Sequence, residues 1–517
     1  MCGSFELRLS RSIVTASAFF MSLESRSRWL GVQQASALPS ALVHVRERGF
    51  TLLLCVAAGV LVGAAAALLN PLLLIGGVLG LLVALWGLWR VEHMLLVLVV
   101  VIGLMPRFAL PLRLGFTPTF LDLALIGLVL AWALHRLGSK RAFPIPRLAI
   151  TLPLLLLVVG ALTTFVLGLP NGALTPMVLR RFAELVLSLL SIPLLAALLQ
   201  TLEAQQRLVR WMMVIGAVSA LVGIVLYFLP DVLSIRLLSA LRPFGYPSGP
   251  GVLRFIRDDP ALMQRATGLW IDPNAFGGYL LVVGALGLPQ VFAQRPVLPR
   301  AWVLVTVSVI ALALVLTVSR GAMLSLVAAA VLIGVLRYRR LLVVLGLALA
   351  LVLMLPQTRE LVMHFVEGFQ GRDLATQMRF GEYKDALRLI ERYPLFGVGF
   401  ISTPDVDLYI GVSSMYLLIA QQMGLVGLGL FVVVIVVLWV GFVRAWLRWR
   451  GDEARAAVGL GAHGAVLGVL VSGVFDHYFF NIDFHNAVML FCLVLALAAA
   501  AQREAALPPE AVLHSRR

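Results

Sequence analysis

Charge is what this sequence has least of. Only 13% of its 517 residues are Asp, Glu, Lys or Arg, about half of the roughly 25% that soluble domains carry. Such a chain cannot cover a soluble globule with polar surface, and it is far too apolar to stay unfolded. An ordinary soluble enzyme, a disordered chain and a nucleic-acid-binding protein are therefore excluded. Short alternating segments of about ten residues are also missing, which excludes an outer-membrane barrel. Cysteine is confined to Cys2, Cys55 and Cys492, two of them inside apolar runs, so no disulfide framework is implied. There is no Walker motif, no Gly-rich nucleotide loop, no His-Glu-x-x-His and no repeat of fixed period. No metal, no cofactor and no nucleotide chemistry on the inner side are expected.

What is present is hydrocarbon. Hydrophobic residues make up 61% of the chain and the mean hydropathy is +1.00. About 20 apolar residues cross a bilayer as a helix. Runs of this kind lie near 50–69, 71–89, 92–105, 118–135, 150–169, 183–201, 208–229, 276–293, 301–318, 321–336, 341–355, 414–442, 456–474 and 484–501. The stretch 301–336 would rise about 54 Å as one helix, too long for one crossing of a core of about 30 Å. It is split at Ser319-Arg320-Gly321. The sequence thus predicts an all-α polytopic membrane protein with about 14 transmembrane helices, within a range of 12–14, and a large extracytoplasmic loop before the third-last span.

Charge sets the orientation. With the N-terminus inside, the inner segments hold 25 of the 41 Lys and Arg and 9 of the 25 Asp and Glu, and the outer ones hold 16 of each. The whole excess of +16 falls on one side, so both termini are placed in the cytoplasm. The expected organisation is a cytoplasmic polar tail (1–49), N-terminal transmembrane helices (50–229), an extracytoplasmic loop (230–275), central helices (276–355), a large extracytoplasmic loop (356–413), C-terminal helices (414–501) and a cytoplasmic tail (502–517). Met21 is an alternative start to Met1.

Of the 16 outer cations, 11 lie in the two long loops. Cations kept on the disfavoured side suit an anionic ligand or local ion pairing. The first loop ends with Arg265 and Asp272-Pro273-Asn274, followed by Gly277-Gly278. Asp272 and Pro273 read as a helix start, either a cap alone or a cap with an anion site at the free N–H groups. Arg320 sits in a tight outer turn, where a guanidinium either snorkels to the interface or grips phosphate oxygens in bidentate fashion. In the second loop Arg379 opens a short amphipathic helix with Tyr383, Leu387 and Ile390 on one face, ended by Pro394. Lys384, Arg388 and Arg392 form a stripe, either a solvated face relieved by Asp385 and Glu391 or a track for an anion. The last outer turn holds Asp476, His477, Asp483 and His485 without metal-ligand spacing. Asp476 and His477, at the mouth of a span, are candidates for proton handling.

Four features occur here in one order: Arg265…Gly268…Asp272-Pro273-Asn274; Thr317…Ser319-Arg320-Gly321; Arg379 and its helix ending Pro394-Leu-Phe-Gly-Val-Gly399; and Tyr416-Leu…Gln422-Met-Gly424-Leu-Val-Gly427. The ordered set resembles the O-antigen ligase/polymerase superfamily over roughly 250–500. The resemblance implies a GT-C-like membrane glycosyltransferase of the bacterial inner membrane. Its donor would be an undecaprenyl-pyrophosphate-linked glycan on the extracytoplasmic side, and its acceptor a glycan or a lipid. Membrane lipid and a chain-length regulator are further partners it implies; nucleic acid is not. By the resemblance Arg265, Arg320 and Arg379 bind the pyrophosphate, with Asp272 and Asn274 beside them and Arg388 or Arg392 assisting. Ligases carry a His-Asn pair where this chain has Ser413-Ser414. That departure favours a polymerase, with acid/base work moved to Asp476, His477, Glu382 or Asp385, or absent. The alternatives are a flippase of lipid-linked glycans and a non-catalytic component of an envelope complex. Charges clustered at helix ends, and the lack of repeats, argue against transport.

Overall fold

The computed structural model describes residues 80, 82–83, 85–111, 115–138, 145–354, 362–363, 366–367, 370–371, 374–402 and 411–503. The chain divides into two compact units, Met1–Leu82 and Val83–Arg517, and the second contains everything below. The expected tail 1–49 and span 50–69 lie outside the described residues, as does most of 71–89.

Backbone N–H and C=O groups in hydrocarbon must be satisfied within their own segment, which leaves long apolar runs only the helix. The described helices are α1 (Val91–Leu104), α2 (Phe120–Gly138), α3 (Thr151–Leu167), α4 (Pro176–Leu198), α5 (Leu202–Phe228), α6 (Asp231–Ser239), α7 (Pro273–Phe292), α8 (Arg300–Leu316), α9 (Arg320–Leu336), α10 (Arg339–Met354), α11 (Leu374–Arg392), α12 (Met415–Trp449), α13 (Glu453–Phe475) and α14 (His485–Ala501). All but α6 and α11 coincide with expected spans, including the split at Arg320. Among the described residues seven helical segments are long and apolar enough to cross a bilayer outright, and α1, α3, α8 and α9 are shorter apolar helices. The one sheet among the described residues is a two-residue hairpin, β1 (Arg254–Phe255) with β2 (Gln264–Arg265), in which Arg254 pairs with Arg265. The chain is an all-α polytopic membrane protein.

The interior is built by α7, α13 and α14. Of the most apolar window of each, 83%, 72% and 94% is buried, against 28% for α12. α13 packs on α7 and α9 through small residues. A Cβ on Gly461 would lie 3.2 Å from the Leu286 carbonyl oxygen, and one on Gly464 2.8 Å from Ile333 Cδ1. Close approach at small residues is how helices gain packing where lipid offers no hydrophobic drive. The outward faces carry leucine and valine, as on α12 at Val432, Val433 and Val436.

One helix is deliberately broken. Gly424 sits at φ +67° inside α12. The loop after α11 fills the gap: Val398 N–H donates to Gln421 O (2.8 Å) and Gly399 N–H to Gln422 O (3.0 Å), while Leu425 N–H reaches Pro394 O (2.7 Å). The two ordered sequence features Pro394–Gly399 and Gln422–Gly427 therefore dock on each other. A Cβ on Gly424 would collide with the Leu395 carbonyl, and one on Gly397, itself at φ +65°, with Gln421 O. α11 is carried by this joint and packs on α12 through Ala386 and Leu389, with Asp385 also buried. This corrects the face read from periodicity, since Leu387 is 51% exposed. The covered face instead carries Asp385, Ala386 and Leu389.

Substituting Gly424→Val should cost at least about 2 kcal/mol, from a strained left-handed φ and a backbone clash. Thermal unfolding in detergent would register this as a clear drop in Tm, and an unshifted Tm would refute the docking role of the break.

Candidate functional site

The site forms where α7 and α9 begin, α13 ends and α11 lies across them. Asp272 caps α7: its Oδ1 accepts the N–H groups of Asn274 (2.9 Å) and Ala275 (2.8 Å), and Pro273 occupies the position that needs no donor. The chain enters this cap through a tight turn in which Asp272 N–H donates to Trp270 O at 2.7 Å. Ile271 is thereby held at φ +66°. Val318, just before Ser319 and Arg320, stands at φ +51°. A β-branched side chain at positive φ is an outlier that persists only where surroundings enforce it, and such strain gathers at functional sites. Both strained residues adjoin the same cluster.

Arg265 locks the two segments together. Its Nε–H donates to Thr317 O (2.9 Å) and its Nη2 to Asn274 Oδ1 (2.7 Å). Ala266 N–H donates to Leu316 O (2.8 Å), so this strand end satisfies the carbonyls that α8 leaves open. Burial pulls the Arg265 guanidinium below its ordinary value, Asp272 and Asp476 hold it up, and Arg379 and Arg320 press it down. Arg265, Arg320 and Arg379 thus share one field with Asp272 and Asp476. The glycine pair is explained by packing: a Cβ on Gly277 would lie 2.9 Å from Ala322, and one on Gly278 would collide with Tyr478.

Asp476 closes α13 and is buried, 3.8 Å from Arg379 Nη2. Burial pushes its carboxyl up to about 7. Arg379 and Arg265 oppose this, and Asp272 and Glu382 reinforce it. A carboxyl poised near neutrality in a cluster of fixed charges is suited to proton transfer. His477 is pushed down to about 4 by burial despite Asp272 and Asp483, so it stands neutral, with Nδ1 at 3.4 Å from Asn481 Nδ2.

Glu382 is engaged differently. Its Oε2 accepts Ser413 N–H at 2.9 Å, and the next residue, Tyr383, donates to Ser413 O and Val474 O, both at 3.0 Å. Met415 N–H in turn reaches Asp476 O at 3.1 Å. Glu382 therefore clamps α11 to the start of α12, and Ser413-Ser414 adjoins Asp476. Arg388 and Arg392 are exposed, about 14 and about 20 Å further along α11 than Arg379 at 1.5 Å per residue. Arg388 pairs with Asp385 (3.1 Å), and Arg392 lies over the Tyr393 ring. The structure brings Arg265, Asp272, Asn274, Arg320, Arg379, Glu382, Asp476 and His477 together and leaves Arg388 and Arg392 outside. No group of metal-ligating side chains occurs among the described residues.

A second polar group was not anticipated. Arg180 bonds Asp122 (2.9 Å) and Glu184 (3.1 Å), and Glu184 faces His485 at 3.7 Å. The signal was present, since Asp122 and Glu184 are acids within apolar runs. Arg107, between α1 and α2, neighbours both groups: burial pulls it down, Asp272 and Asp483 hold it up, and it is an electrostatic neighbour of His485.

Residues 303–432 match a family model described as O-antigen ligase. The matched segment runs from α8 past the Gly424 break and includes Arg320, Arg379 and Glu382, about a quarter of the chain. No curated protein matches the sequence. The chain is thus an all-α polytopic membrane protein that is similar, over residues 303–432, to the O-antigen ligase family.

Proposed function

We propose that the protein transfers a glycan from an undecaprenyl-pyrophosphate donor to a glycan or lipid acceptor, on the extracytoplasmic face of the bacterial inner membrane, with both termini cytoplasmic. The O-antigen ligase domain supports glycosyl transfer at a membrane in general. The observation that carries the finer reading is the gathering of Arg379 and Arg265 around the poised carboxyl of Asp476, with Arg320 in the field of Arg265. Guanidinium groups take phosphate oxygens in bidentate geometry, and apolar helix faces beside them suit an isoprenoid tail. In the proposed step the acceptor oxygen bonds to the anomeric carbon as the bond from that carbon to pyrophosphate breaks. The electron pair leaves with the pyrophosphate, and the acceptor's proton passes to Asp476. Neutralising Asp476 removes an anion beside Arg379 and Arg265 just as the leaving group gains charge, so one proton transfer strengthens the grip on the departing phosphate. Glu382 positions α11 for this chemistry, and Asp272 and Asn274 position α7 and Arg265.

A polymerase is favoured over a ligase. Ser413-Ser414 stands beside Asp476 where ligases carry His-Asn, leaving Asp476 as the base. Purified protein given an undecaprenyl-pyrophosphate glycan without ATP should lengthen the glycan or modify an acceptor. Movement of the lipid across a vesicle without new bonds would instead establish a flippase.

Arg320→Lys keeps the charge but loses the fork, and should cut kcat/KM by about 100-fold with normal membrane insertion; full activity would remove Arg320 from the site.

The rate should rise with pH through about 7, as Asp476 ionises, and level off above. Stability should run the other way. The folded carboxyl holds its proton to about 7 against an ordinary 3.8. At this group the folded state therefore binds more protons between those values, and its contribution to stability is lost as pH rises through that window. Asp476→Asn should abolish the acid limb of the rate and remove this one contribution to the stability slope, and an acid limb surviving in that variant would exclude Asp476 as the base.

A further inference from the structure

A recess opens at the start of α14, walled by Arg107, Trp270, Asp483, Phe484, His485 and Asn486. Its free volume of about 10 Å³ admits one water-sized group. Trp270 and Asn486 are each 3% exposed. Among the described residues, Trp270 Nε1, Asn486 Oδ1 and both ring nitrogens of His485 have no hydrogen-bond partner. Buried polar atoms are almost always satisfied, and leaving one bare is costly. Here an indole donor, an amide acceptor and an imidazole surround one small opening.

We propose that this recess is a saccharide seat, receiving one hydroxyl of a sugar ring that lies across its mouth. The inference rests on the glycan-transfer reading and names where the glycan itself is recognised. A hydroxyl both donates and accepts, so it answers Trp270 Nε1 and Asn486 Oδ1 together. An anion does not fit, because Asn486 Oδ1 and the Asp483 carboxylate would face it. At the rim the Arg107 guanidinium stacks on Phe484, 5.0 Å from the ring centroid, giving a flat polar-edged platform for a ring. Behind the recess, the Glu184–Arg180–Asp122 group backs His485. Asp272 joins the recess to the arginine cluster, as electrostatic neighbour of Arg107 on one side and of Arg265 and Asp476 on the other.

The test uses full-length protein in detergent and three probes: undecaprenyl pyrophosphate alone, undecaprenyl pyrophosphate bearing one hexose, and a free hexose oligosaccharide. Trp270→Phe and Asn486→Leu should each weaken binding of a sugar-bearing probe about tenfold and leave the sugar-free lipid unchanged. A loss confined to the hexosyl lipid assigns the seat to the donor; a loss confined to the oligosaccharide assigns it to the acceptor. Unchanged affinity for both in folded variants overturns the seat. Asp483, whose side chain is 50% exposed, supplies a variant that leaves the packed interior alone. Asp483→Asn should weaken the same probe about threefold, and if the buried variants do not fold, its equality with wild type overturns the proposal. Wild-type protein with no affinity for undecaprenyl pyrophosphate would sink the transfer reading instead, leaving the oligosaccharide arm to decide the seat.

Discussion

Every backbone polar group within the bilayer must find a partner inside the protein, and this demand organises the site as much as the bundle. Where α12 breaks at Gly424, loop groups from Pro394–Gly399 take over the interrupted bonds. Where α8 ends, its open carbonyls are met by Ala266 N–H and by the Arg265 guanidinium. Arg265 is therefore a structural cap that presents the rest of its fork to the cluster. Satisfying the backbone and assembling the chemistry are one arrangement.

The same economy governs the charges. Three guanidinium groups crowd together, which they tolerate because Asp272, Asp476 and Glu382 stand among them. Asp272 is committed to the α7 N–H groups and Glu382 to Ser413. Asp476 alone of the three is buried with its side chain directed to an arginine at 3.8 Å rather than to backbone donors. Its charge is thus the adjustable one.

The bundle was legible because hydrocarbon length leaves a long mark: twelve helices fall on apolar runs, and the Arg320 turn was required by length alone. The arginine cluster was legible as cations held between apolar runs. Distance along α11 was not, so Arg388 and Arg392 were grouped with Arg379 although the helix carries them away. Glu382 was read as chemistry because a carboxylate's partner, here one amide of Ser413, leaves no trace in composition. The recess at α14 joins residues from three distant loops, a coincidence that no local pattern announces. Its nearest hint was Glu184 in an apolar run.

The enclosure of α14 bears on how the molecule is made. It is the last described helix to leave the ribosome, yet 94% of its apolar window is covered, chiefly by α4 and α13. Helices inserted earlier must wait around an unfilled centre, and α14 has to be made before the bundle can close. Biogenesis then has a single late committing event, and a polypeptide halted before His485 would be left open along its axis.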